Sequence, residues 1–403
     1  MISALKLPLS PELNVKVAPE VVASPCLIRH FTSGPHTFMT RSSTVAWLRY
    51  VNTGNWLLHF IRTRPCSFPA STTTNMSADP LFTFGVIADI QYADLDDGFN
   101  FTRTRKRYYR NSLQLLRNAR DHWSEAPVQP EFVLQLGDII DGFNTQQHAS
   151  RSALDTVLRE FGSSPVEVHH VWGNHEFYNF TRGELLCSEL NSTLHVQRRL
   201  GESRPGGDIY AYSFSPYPGF CFIVLDAYDM SLLGLDQDSE QYQRALKLIQ
   251  KYNGNQDLNQ PPTTTMSHRL LQRFTKFNGG FSQEQLDWLD SVLSCADDKQ
   301  EKVTIVSHLP VHPDSTDPVC LAWNHSILLQ LIQKHPSVVL FMAGHDHDGG
   351  YHYDWQNHVH HLTLEGVIET PPDSNAFGTV SVYQDRMVLT GHGRTASRVF
   401  DFS

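Results

Sequence analysis

The chain has few cysteines and no long apolar run, and both absences restrict what it can be. Six cysteines are spread over 403 residues and no two of them have the C-x-x-C spacing, which argues against a thiolate zinc site and favours reduced thiols. The apolar stretch 46–61 is too short and too interrupted to span a bilayer. We therefore expect no membrane association. No internal repeat is evident.

Positive charge is scarce outside the N-terminal segment. Residues 1–75 contain seven Lys/Arg and two acidic residues, a net charge of +5, so the remainder carries 25 basic against 40 acidic residues, net −15, which together give the −10 of the whole chain. A body this acidic argues against duplex nucleic acid as a partner. We expect a monomer that acts on small molecules.

Residues 1–75 also differ from the rest in composition. They are basic, rich in Ser and Thr and poor in acidic residues, as in a mitochondrial transit peptide, but their amphipathic periodicity is patchy and prolines recur. We expect 1–76 to be a disordered extension, or translated sequence upstream of a start at Met76, followed by one catalytic domain over 80–403. A cytoplasmic location follows, with a mitochondrial one as the alternative if 1–75 is a transit peptide.

Five short polar blocks each follow a run that is apolar and rich in β-branched residues. Such runs are typical of central strands covered on both faces, and here they span 84–88, 132–136, 168–172, 303–306 and 338–343. The blocks are Asp89-Ile90-Gln91, Gly137-Asp138-Ile139-Ile140-Asp141, Gly173-Asn174-His175-Glu176, Ser307-His308 and Gly344-His345-Asp346-His347. Their carboxylate, amide and imidazole groups are expected to gather along one edge of a sheet.

These side chains suit a pair of metal ions. In an extended segment, side chains two apart point to the same face, which predicts that Asp89 and Gln91 converge on one ion and that His345 and His347 serve adjacent ions. Oxygen and imidazole donors without thiolates favour Mn²⁺, Fe or Zn²⁺. Two ions roughly 3.5–4 Å apart activate a shared water for in-line attack at phosphorus. The blocks therefore predict a phosphoester or phosphoanhydride hydrolase.

The five blocks resemble, in order, the D-x-H, G-D-x-x-D, G-N-H-E/D, H and G-H-x-H pattern of the calcineurin-like metallophosphoesterases. The resemblance implies an α/β (α+β) fold, a four-layer αββα sandwich. It also implies roles for seven side chains: first-metal ligands Asp89 and His347, the bridge Asp138, second-metal ligands Asn174, His308 and His345, and His175 as proton donor or transition-state stabiliser.

One position departs from that pattern, because Gln91 stands where the first block usually has His. A carboxamide oxygen is harder than an imidazole nitrogen, so Gln91 as a ligand is expected to favour Mn²⁺ over Zn²⁺ or Fe. The alternative to ligation is an amide that orients Asp89. This Gln and the stretches 94–101, 172–180, 277–282 and 365–370 resemble a narrower group, the Mn²⁺-dependent ADP-ribose/CDP-alcohol diphosphatases.

This narrower resemblance implies cleavage of a pyrophosphate bond with two divalent ions, Mn²⁺ preferred and Zn²⁺, Fe or Mg²⁺ as alternatives. ADP-ribose would give AMP and ribose 5-phosphate, and CDP-choline or CDP-glycerol would give CMP and a phosphoalcohol. A cyclic-nucleotide or other phosphodiesterase of the same superfamily stays open, as does a non-catalytic scaffold. A protein phosphatase is disfavoured because Gly142 and Trp172 stand where those enzymes have arginines.

Residues beside the blocks receive less specific interpretations. Phe101 is a candidate for stacking on a nucleobase, with a core position as the alternative, and Cys320 is a candidate for the substrate pocket wall. Asp141 is expected to be a turn residue or to contact a ligand rather than a metal. The basic cluster 103–110 is interpreted as a solvated helix face, with a phosphate contact as the alternative. Strand alternation explains the His-rich tract 352–361 without a metal.

The remaining pattern predicts further elements. We expect helices over 104–123 and 149–161, strands over 210–214 and 220–225, and a polar strand end at 226–229 that faces the cleft. Residues 234–266 are expected to form an irregular excursion that shapes the pocket. Ser282 and Gln285 predict a capping box at the start of a helix, and 360–364, 379–383 and 387–390 predict antiparallel strands. Glycans on the sequons at Asn100 and Asn179 would obstruct the cleft, which favours a cytoplasmic protein.

Overall fold

The structure, a computed structural model, describes residues 79–100, 102–164, 166–196, 204–263 and 265–402. Its strands are β1 Phe82–Ile87, β2 Gly98–Phe99, β3 Lys106–Arg107, β4 Phe132–Gln135, β5 Glu167–His170, β6 Tyr212–Tyr217, β7 Phe220–Val224, β8 Met230–Ser231, β9 Gly279–Gly280, β10 Lys302–Val306, β11 Val338–Ala343, β12 Gly350–Asp354, β13 Val359–Thr363, β14 Ala376–Val382, β15 Arg386–Gly393 and β16 Arg398–Asp401. The predicted extension 1–76 lies outside the described residues.

The α-helices are short or of moderate length and lie mainly between the strands. They are α1 Asn111–Glu125, α2 Phe143–Gln146, α3 Ser150–Phe161, α4 Asn174–Asn179, α5 Arg182–Leu186, α6 Thr193–Val196, α7 Glu240–Tyr252, α8 Gln283–Lys299 and α9 His325–Ile332. Tighter 3₁₀ turns occur at Met266–Arg273, Pro313–Ser315, Pro318–Cys320 and Val367–Glu369. Among the residues that the structure describes, no helix has both the length and the apolar character needed to cross a bilayer.

Two six-stranded sheets contain the strands that the apolar runs predicted. Their orders are β16-β15-β14-β1-β4-β5 and β12-β13-β11-β10-β7-β6. Strands β1, β4 and β5 are parallel to one another, as are β7, β10, β11 and β13. Strands β14, β15 and β16 extend the first sheet with antiparallel pairing, and β12 and β6 pair antiparallel at the two edges of the second sheet. The ligand-bearing blocks follow β1, β4, β5, β10 and β11, so they leave their sheets at the carboxyl ends of parallel strands.

Aromatic side chains join the two sheets face to face. Phe84 and Phe132 of the first sheet meet Phe222 of the second edge-on, with ring centroids 5.3 and 5.2 Å apart. Helix α1 packs against the first sheet, where Trp123 Nε1 donates to the Gly378 carbonyl (3.3 Å). Helix α8 packs against β10 of the second sheet. This is the predicted order of layers, helix, sheet, sheet, helix.

The predicted helix start is present, because Ser282 Oγ accepts the backbone N–H of Gln285 (3.2 Å) at the start of α8. The predicted capping box is wrong in its second half, because the Ser282 N–H donates to Asp229 Oδ1 and Gln285 Oε1 accepts from the backbone of Asp226 instead. Of the predicted C-terminal strands, those corresponding to β14 and β15 are antiparallel to their neighbours. Strand β13 differs, because it joins the second sheet parallel to β11 and antiparallel to β12.

The predicted helix over 104–123 begins only at Asn111, and the basic cluster that precedes it is not uniformly solvated. The Arg107 side chain is 19% exposed and its Nε lies 3.3 Å from Glu369 Oε1. Its Nη1 lies 3.8 Å from Asp141 Oδ2. The interpretation as a solvated face is therefore wrong for Arg107, because the carboxylates of Asp141 and Glu369, which come from other parts of the chain, bind its side chain inside the fold.

The prediction of an irregular excursion over 234–266 is wrong, because the segment contains the 13-residue helix α7. Ala245 and Ile249 of α7 form a small separate core with Leu232, Phe274 and Trp323. Most residues of the helix are polar, so the sequence pattern did not indicate this narrow apolar stripe. Strands β8 and β9 pair at the base of the segment, which brings its two ends together.

Candidate metal centre

The loops after the strands present the predicted ligands through unusual backbone geometry. Asp89, Gln91, Asp138 and His345 have positive φ angles of 51°, 43°, 56° and 71°, which are uncommon for residues other than glycine and concentrate at functional sites. Asp89 and Gln91 therefore do not lie in an extended segment, and the period-two argument for their convergence is wrong. Hydrogen bonds to the Gly137 and Asp138 carbonyls hold this turn instead (3.2 and 2.9 Å).

Glycines of the motifs leave the space that the ligand side chains occupy. A Cβ on Gly173 would collide with Asp138 Oδ1 and lie 2.7 Å from His308 Cε1. A Cβ on Gly344 would lie 2.8 Å from Asp89 Oδ2. Gly137 has a φ of 100° and faces the His308 ring. A side chain at any of these positions would displace a ligand.

His308 and His345 present facing lone pairs. His308 Nδ1 lies 2.8 Å from the Leu136 carbonyl, so this nitrogen carries the proton that it donates. Asn278 Nδ2 donates to two backbone carbonyls, which leaves Asn278 Oδ1 to accept from His345 Nε2 at 2.8 Å. In neutral rings, His308 Nε2 and His345 Nδ1 are then both lone pairs, and they lie 3.1 Å apart. They repel each other unless a cation, either a proton or a metal ion, lies beside them.

His347 has the same type of support on the other side of the centre. Its Nδ1 donates to Glu369 Oε1 (2.9 Å), so in a neutral ring the lone pair is on Nε2, which lies 3.4 Å from Asp89 Oδ1. A carboxylate behind a histidine is typical of metal sites because it fixes the tautomer and the ring orientation. Burial opposes ionisation of Glu369, but His347 and Arg107 outweigh it and lower the pKa of Glu369 to about 2.

Gln91 lies between the Asp138 carboxylate and the His347 imidazole, which would bind the same metal ion as Gln91. Its Nε2 is 3.0 Å from both Asp138 Oδ2 and His347 Nε2, and Oε1 is buried without a hydrogen-bond partner among the described residues. Rotation of the amide by a half-turn would place the oxygen beside these two acceptors, a set that fits a cation. The structure shows no hydrogen bond from Gln91 to Asp89 within the described ranges, so the predicted alternative of an amide that orients Asp89 is not what the geometry shows.

Asp138 lies where the two halves meet. Its Oδ1 accepts the backbone N–H of His175 (2.8 Å), while its Oδ2 faces Gln91 on one side and His308 Nε2 at 3.5 Å on the other. Burial opposes the charge on Asp138, but the surrounding histidines outweigh it and hold the pKa of its carboxyl well below the usual range. Asp138 and Asp89 in turn overcome the effect of burial and raise the pKa of His308 to about 9. The centre therefore attracts positive charge.

Buried hydrogen bonds position the Gly173-Asn174-His175-Glu176 block around Asp138. Glu176 accepts the backbone N–H groups of Asp138 and Ile139 at 2.9 and 2.7 Å. Asn174 Oδ1 lies 3.2 Å from the Tyr228 hydroxyl, so the polar strand end 226–229 does reach the centre through Tyr228. These contacts hold the second half of the centre against the first.

His175 lies beside this centre with a defined tautomer. Its Nδ1 accepts the backbone N–H of Gly142 (2.8 Å), so a neutral ring carries its proton on Nε2. That atom lies 3.8 Å from Asp138 Oδ2 and faces the centre. Asp141 Oδ2 lies 3.5 Å from His175 Nδ1, so Asp141 is placed behind His175. That Asp141 does not bind metal stays a prediction.

The two predicted substrate contacts are less well placed by the structure. Phe101 lies outside the described residues. Cys320 is half-buried on the turn next to Val319, whose carbonyl accepts from Asn278, and burial raises the pKa of its thiol. Its role as a pocket residue stays a prediction. Phe99 is 60% exposed, which excludes a core position for this aromatic.

Sequence reasoning missed the residues that orient the ligands. Asn278 and Glu369 lie 67 and 22 residues from the histidines that they bind, and Arg107 lies 262 residues from Glu369. Neither periodicity nor local spacing can detect such pairs. The stretches 277–282 and 365–370, noted above for their resemblance, contained the signal.

Comparison with known proteins identifies this arrangement. The family model described as Calcineurin-like phosphoesterase matches residues 82–349, the span that contains all five blocks. The chain belongs to this family. Its expected four-layer fold and its motif order are those of calcineurin-like phosphoesterases.

Curated relatives and a solved structure match nearly their whole length. A protein from Danio rerio is 55% identical over 326 residues, which cover 81% of this chain and 99% of the relative. One from Homo sapiens is 52% identical and covers 81% of this chain and 94% of the relative. Both are named manganese-dependent ADP-ribose/CDP-alcohol diphosphatase. The crystal structure of a dimetal phosphatase from Danio rerio is similar, with a TM-score of 0.76 and 54% identity over 81% of this chain and all of that one.

Gly173→Ala should cost the protein one of its two bound metal equivalents, because the new Cβ would occupy space taken by Asp138 and His308. Metal content after dialysis against Mn²⁺ and gel filtration measures this loss. Gly183→Ala is the control, since a Cβ there meets nothing within 4 Å. Retention of both equivalents by Gly173→Ala would contradict the packing argument.

Glu369→Gln should weaken Mn²⁺ binding in the first half of the centre by about 10- to 100-fold, because His347 loses the carboxylate that orients it. Stepwise Mn²⁺ titration measures this, with Glu365→Gln in the same loop as the control. A second measurement follows from the pKa of Glu369, lowered from 4.5 to about 2. The ionised side chain stabilises the fold above pH 4.5, and this contribution is lost as the pH falls toward 2.

The metal-free wild type should therefore lose unfolding free energy more steeply between pH 4.5 and 2 than Glu369→Gln does. Parallel slopes, together with unchanged Mn²⁺ affinity, would show that Glu369 does not support His347.

Proposed function

We propose that this chain hydrolyses the pyrophosphate bond of nucleoside diphosphate conjugates, with two divalent metal ions and a preference for Mn²⁺. ADP-ribose would give AMP and ribose 5-phosphate, and CDP-alcohols would give CMP and a phosphoalcohol. The observation that carries the proposal is the pair of facing lone pairs on His308 and His345, 3.1 Å apart, beside the Asp138 carboxylate. The names of the relatives that match four fifths of the chain support the substrate class.

The donor set fits two ions that share one carboxylate. We assign the first ion to Asp89, Gln91 and His347, the second to Asn174, His308 and His345, and the shared position to Asp138. Asp138, His308 and His345 offer donor atoms that lie within 4.8 Å of one another. When bound, two such ions lower the pKa of an attacking water and neutralise charge on the phosphoryl oxygens.

The ligand charges suit a diphosphate substrate. Asp89 and Asp138 are the two carboxylates in the assigned set, so two divalent ions leave a formal surplus of about two positive charges. This local surplus can attract an anion to a protein whose net charge is −10. Gln91, as a carboxamide oxygen donor, supports the preference for Mn²⁺ in the first position.

His175 is assigned to donate a proton from Nε2 to the leaving group or to hydrogen-bond the transition state. The Gly142 N–H supports this role because it occupies Nδ1 and leaves the proton on the nitrogen that faces the centre. A departing phosphate monoester is weakly basic, so it needs this proton less than an alkoxide does.

We further infer a cytoplasmic location and a monomer that binds neither duplex nucleic acid nor a membrane surface. Asn179 supports the location, because its side-chain Nδ2 donates to the backbone carbonyl oxygens of Asp141 and His175 at 3.1 and 2.8 Å. A glycan on this sequon would break contacts that position His175. A fluorescent fusion of the full chain, compared with one that begins at Met76, tests the mitochondrial alternative.

A substrate panel tests the proposed function directly. We expect ADP-ribose and CDP-choline to be hydrolysed faster than cyclic nucleotides or a phosphopeptide, and faster with Mn²⁺ than with Mg²⁺ or Zn²⁺ at matched occupancy. Chromatographic identification of AMP or CMP measures cleavage at the pyrophosphate. Asp138→Asn, which removes the shared charge, should abolish turnover of every substrate.

Other outcomes of this panel would select the rivals. Preferential hydrolysis of a cyclic nucleotide would make the protein a phosphodiesterase of the same superfamily. Absence of turnover with every metal, in a protein that binds two ions, would make it a scaffold. Equal rates with Zn²⁺ and Mn²⁺ would reject the role given to Gln91.

His175→Ala should slow an alkyl phosphodiester by about 100-fold or more, but ADP-ribose by about 10-fold or less, because an alkoxide needs the proton that a phosphate does not. Steady-state kcat/KM for both substrates gives the ratio. His148→Asn is the control, since His148 is exposed and its φ of 55° suits Asn. Equal losses on the two substrates would contradict proton donation as the role of His175.

A further inference from the structure

Three imidazoles and a carboxylate gather outside the centre described above, between the loop after β10 and the β12–β13 hairpin. They belong to His312, Asp314, His352 and His361. We propose that this cluster binds one divalent transition metal ion, such as Zn²⁺, in addition to the two ions of the catalytic centre. Imidazole and carboxylate donors are the set that such ions prefer.

The sheet register places two of the histidines together. His352 of β12 lies directly opposite His361 of β13 in the antiparallel ladder, so both side chains are on the same face of the sheet. His312 comes from a different part of the chain and stacks on His352, with ring centroids 4.1 Å apart and planes 11° from parallel. Its ring is 4.8 Å from that of His361. Strand alternation explains where His352 and His361 lie, but not why His312 joins them.

The donor atoms are close enough for one ion to collect them. One ligand atom each from His312, Asp314 and His352 lie within 4.8 Å of one another, and His352 Nδ1 is 3.8 Å from Asp314 Oδ2. A tetrahedral zinc ion with bonds of roughly 2.1 Å holds its donors about 3.4 Å apart. The exposed Asp314 side chain can rotate to close this gap.

His361 provides an independent indication of a ligand. Its side chain is 1% exposed, and its Nδ1 has no hydrogen-bond partner among the residues that the structure describes. A buried polar atom without a partner is costly and uncommon in folded proteins. The donor atoms within 4.8 Å of one another are those of His312, Asp314 and His352, so coordination of this nitrogen would require the His361 ring to turn toward the neighbouring His312 ring.

The charge state of the cluster suits a cation. Burial lowers the pKa of His361 to about 3 and also lowers that of His312, so burial favours the neutral ring that a metal ligand must have. Two carboxylates, Asp314 and Asp354, act electrostatically on His312. His312 Nδ1 accepts the Asp314 backbone N–H (3.2 Å), a bond that coordination would replace and that water can replace at this exposed turn.

An ion at this site would connect the loop after β10 to strand β12. The loop that carries His312 continues to Thr316 and Asp317, which donate to Asp346 Oδ2 at 2.8 and 2.7 Å. Asp346 lies between the catalytic-centre residues His345 and His347. The ion would therefore link β12 to the loop that supports this segment.

The test counts total metal equivalents after dialysis of the full chain against Zn²⁺. His352→Gln and Asp314→Asn should each bind one equivalent fewer than the wild type. His358→Asn, an exposed histidine in the same hairpin with a φ of 59°, should bind the same number as the wild type. Because the result is a difference between variants, it does not depend on how many ions the catalytic centre holds.

Circular dichroism and Mn²⁺-dependent hydrolysis establish that the variants are folded, since neither His352 nor Asp314 belongs to the assigned catalytic set. A Zn²⁺-dependent rise in Tm that is present in the wild type and smaller in Asp314→Asn would support the site as well. Equal metal content in the wild type, His352→Gln and Asp314→Asn would overturn the proposal.

Discussion

The Asp138 carboxylate contacts both halves of the centre, and the surrounding structure is arranged to hold it. A buried carboxylate is costly unless charge and hydrogen bonds compensate it. Here the compensation comes from the His175 backbone N–H and from His308. Glu176 fixes the backbone of Asp138 itself, and the lack of a side chain at Gly173 leaves room for its Oδ1. The His175 N–H, His308 and the space at Gly173 all act on the two carboxylate oxygens of Asp138.

Much of the fold could be predicted from the sequence because the chemistry follows the strands. The runs before Asp89, Asp138 and His345 are short and apolar, which predicted central strands. The polar residues at their ends were expected along one edge of a single sheet, but β1 and β4 belong to the first sheet and β11 to the second, so the ligands come from both sheets. The motif order then implied the ligand roles. The local argument was wrong at Asp89 and Gln91, where positive φ angles, rather than an extended strand, bring the side chains together.

The supporting residues could not be predicted because they depend on tertiary structure. Asn278 and Glu369 decide which nitrogen of His345 and His347 carries the proton. Local sequence patterns do not indicate which amide or carboxylate will orient a distant histidine. Arg107 illustrates the same limit: residues 102–106 before it are exposed, but Arg107 reaches Glu369 across 262 residues. A basic run with a helical period is ordinarily a surface feature.

The pairing of β8 with β9 closes the segment that contains α7 at its base, and the segment has a core of its own around Ile249. Insertions, deletions or new side chains within it can therefore accumulate without moving the strands that carry the ligands. Asn278, directly before β9, is the point where this freedom ends. The sequence around α7 can thus change while the residues of the centre stay where the two sheets hold them.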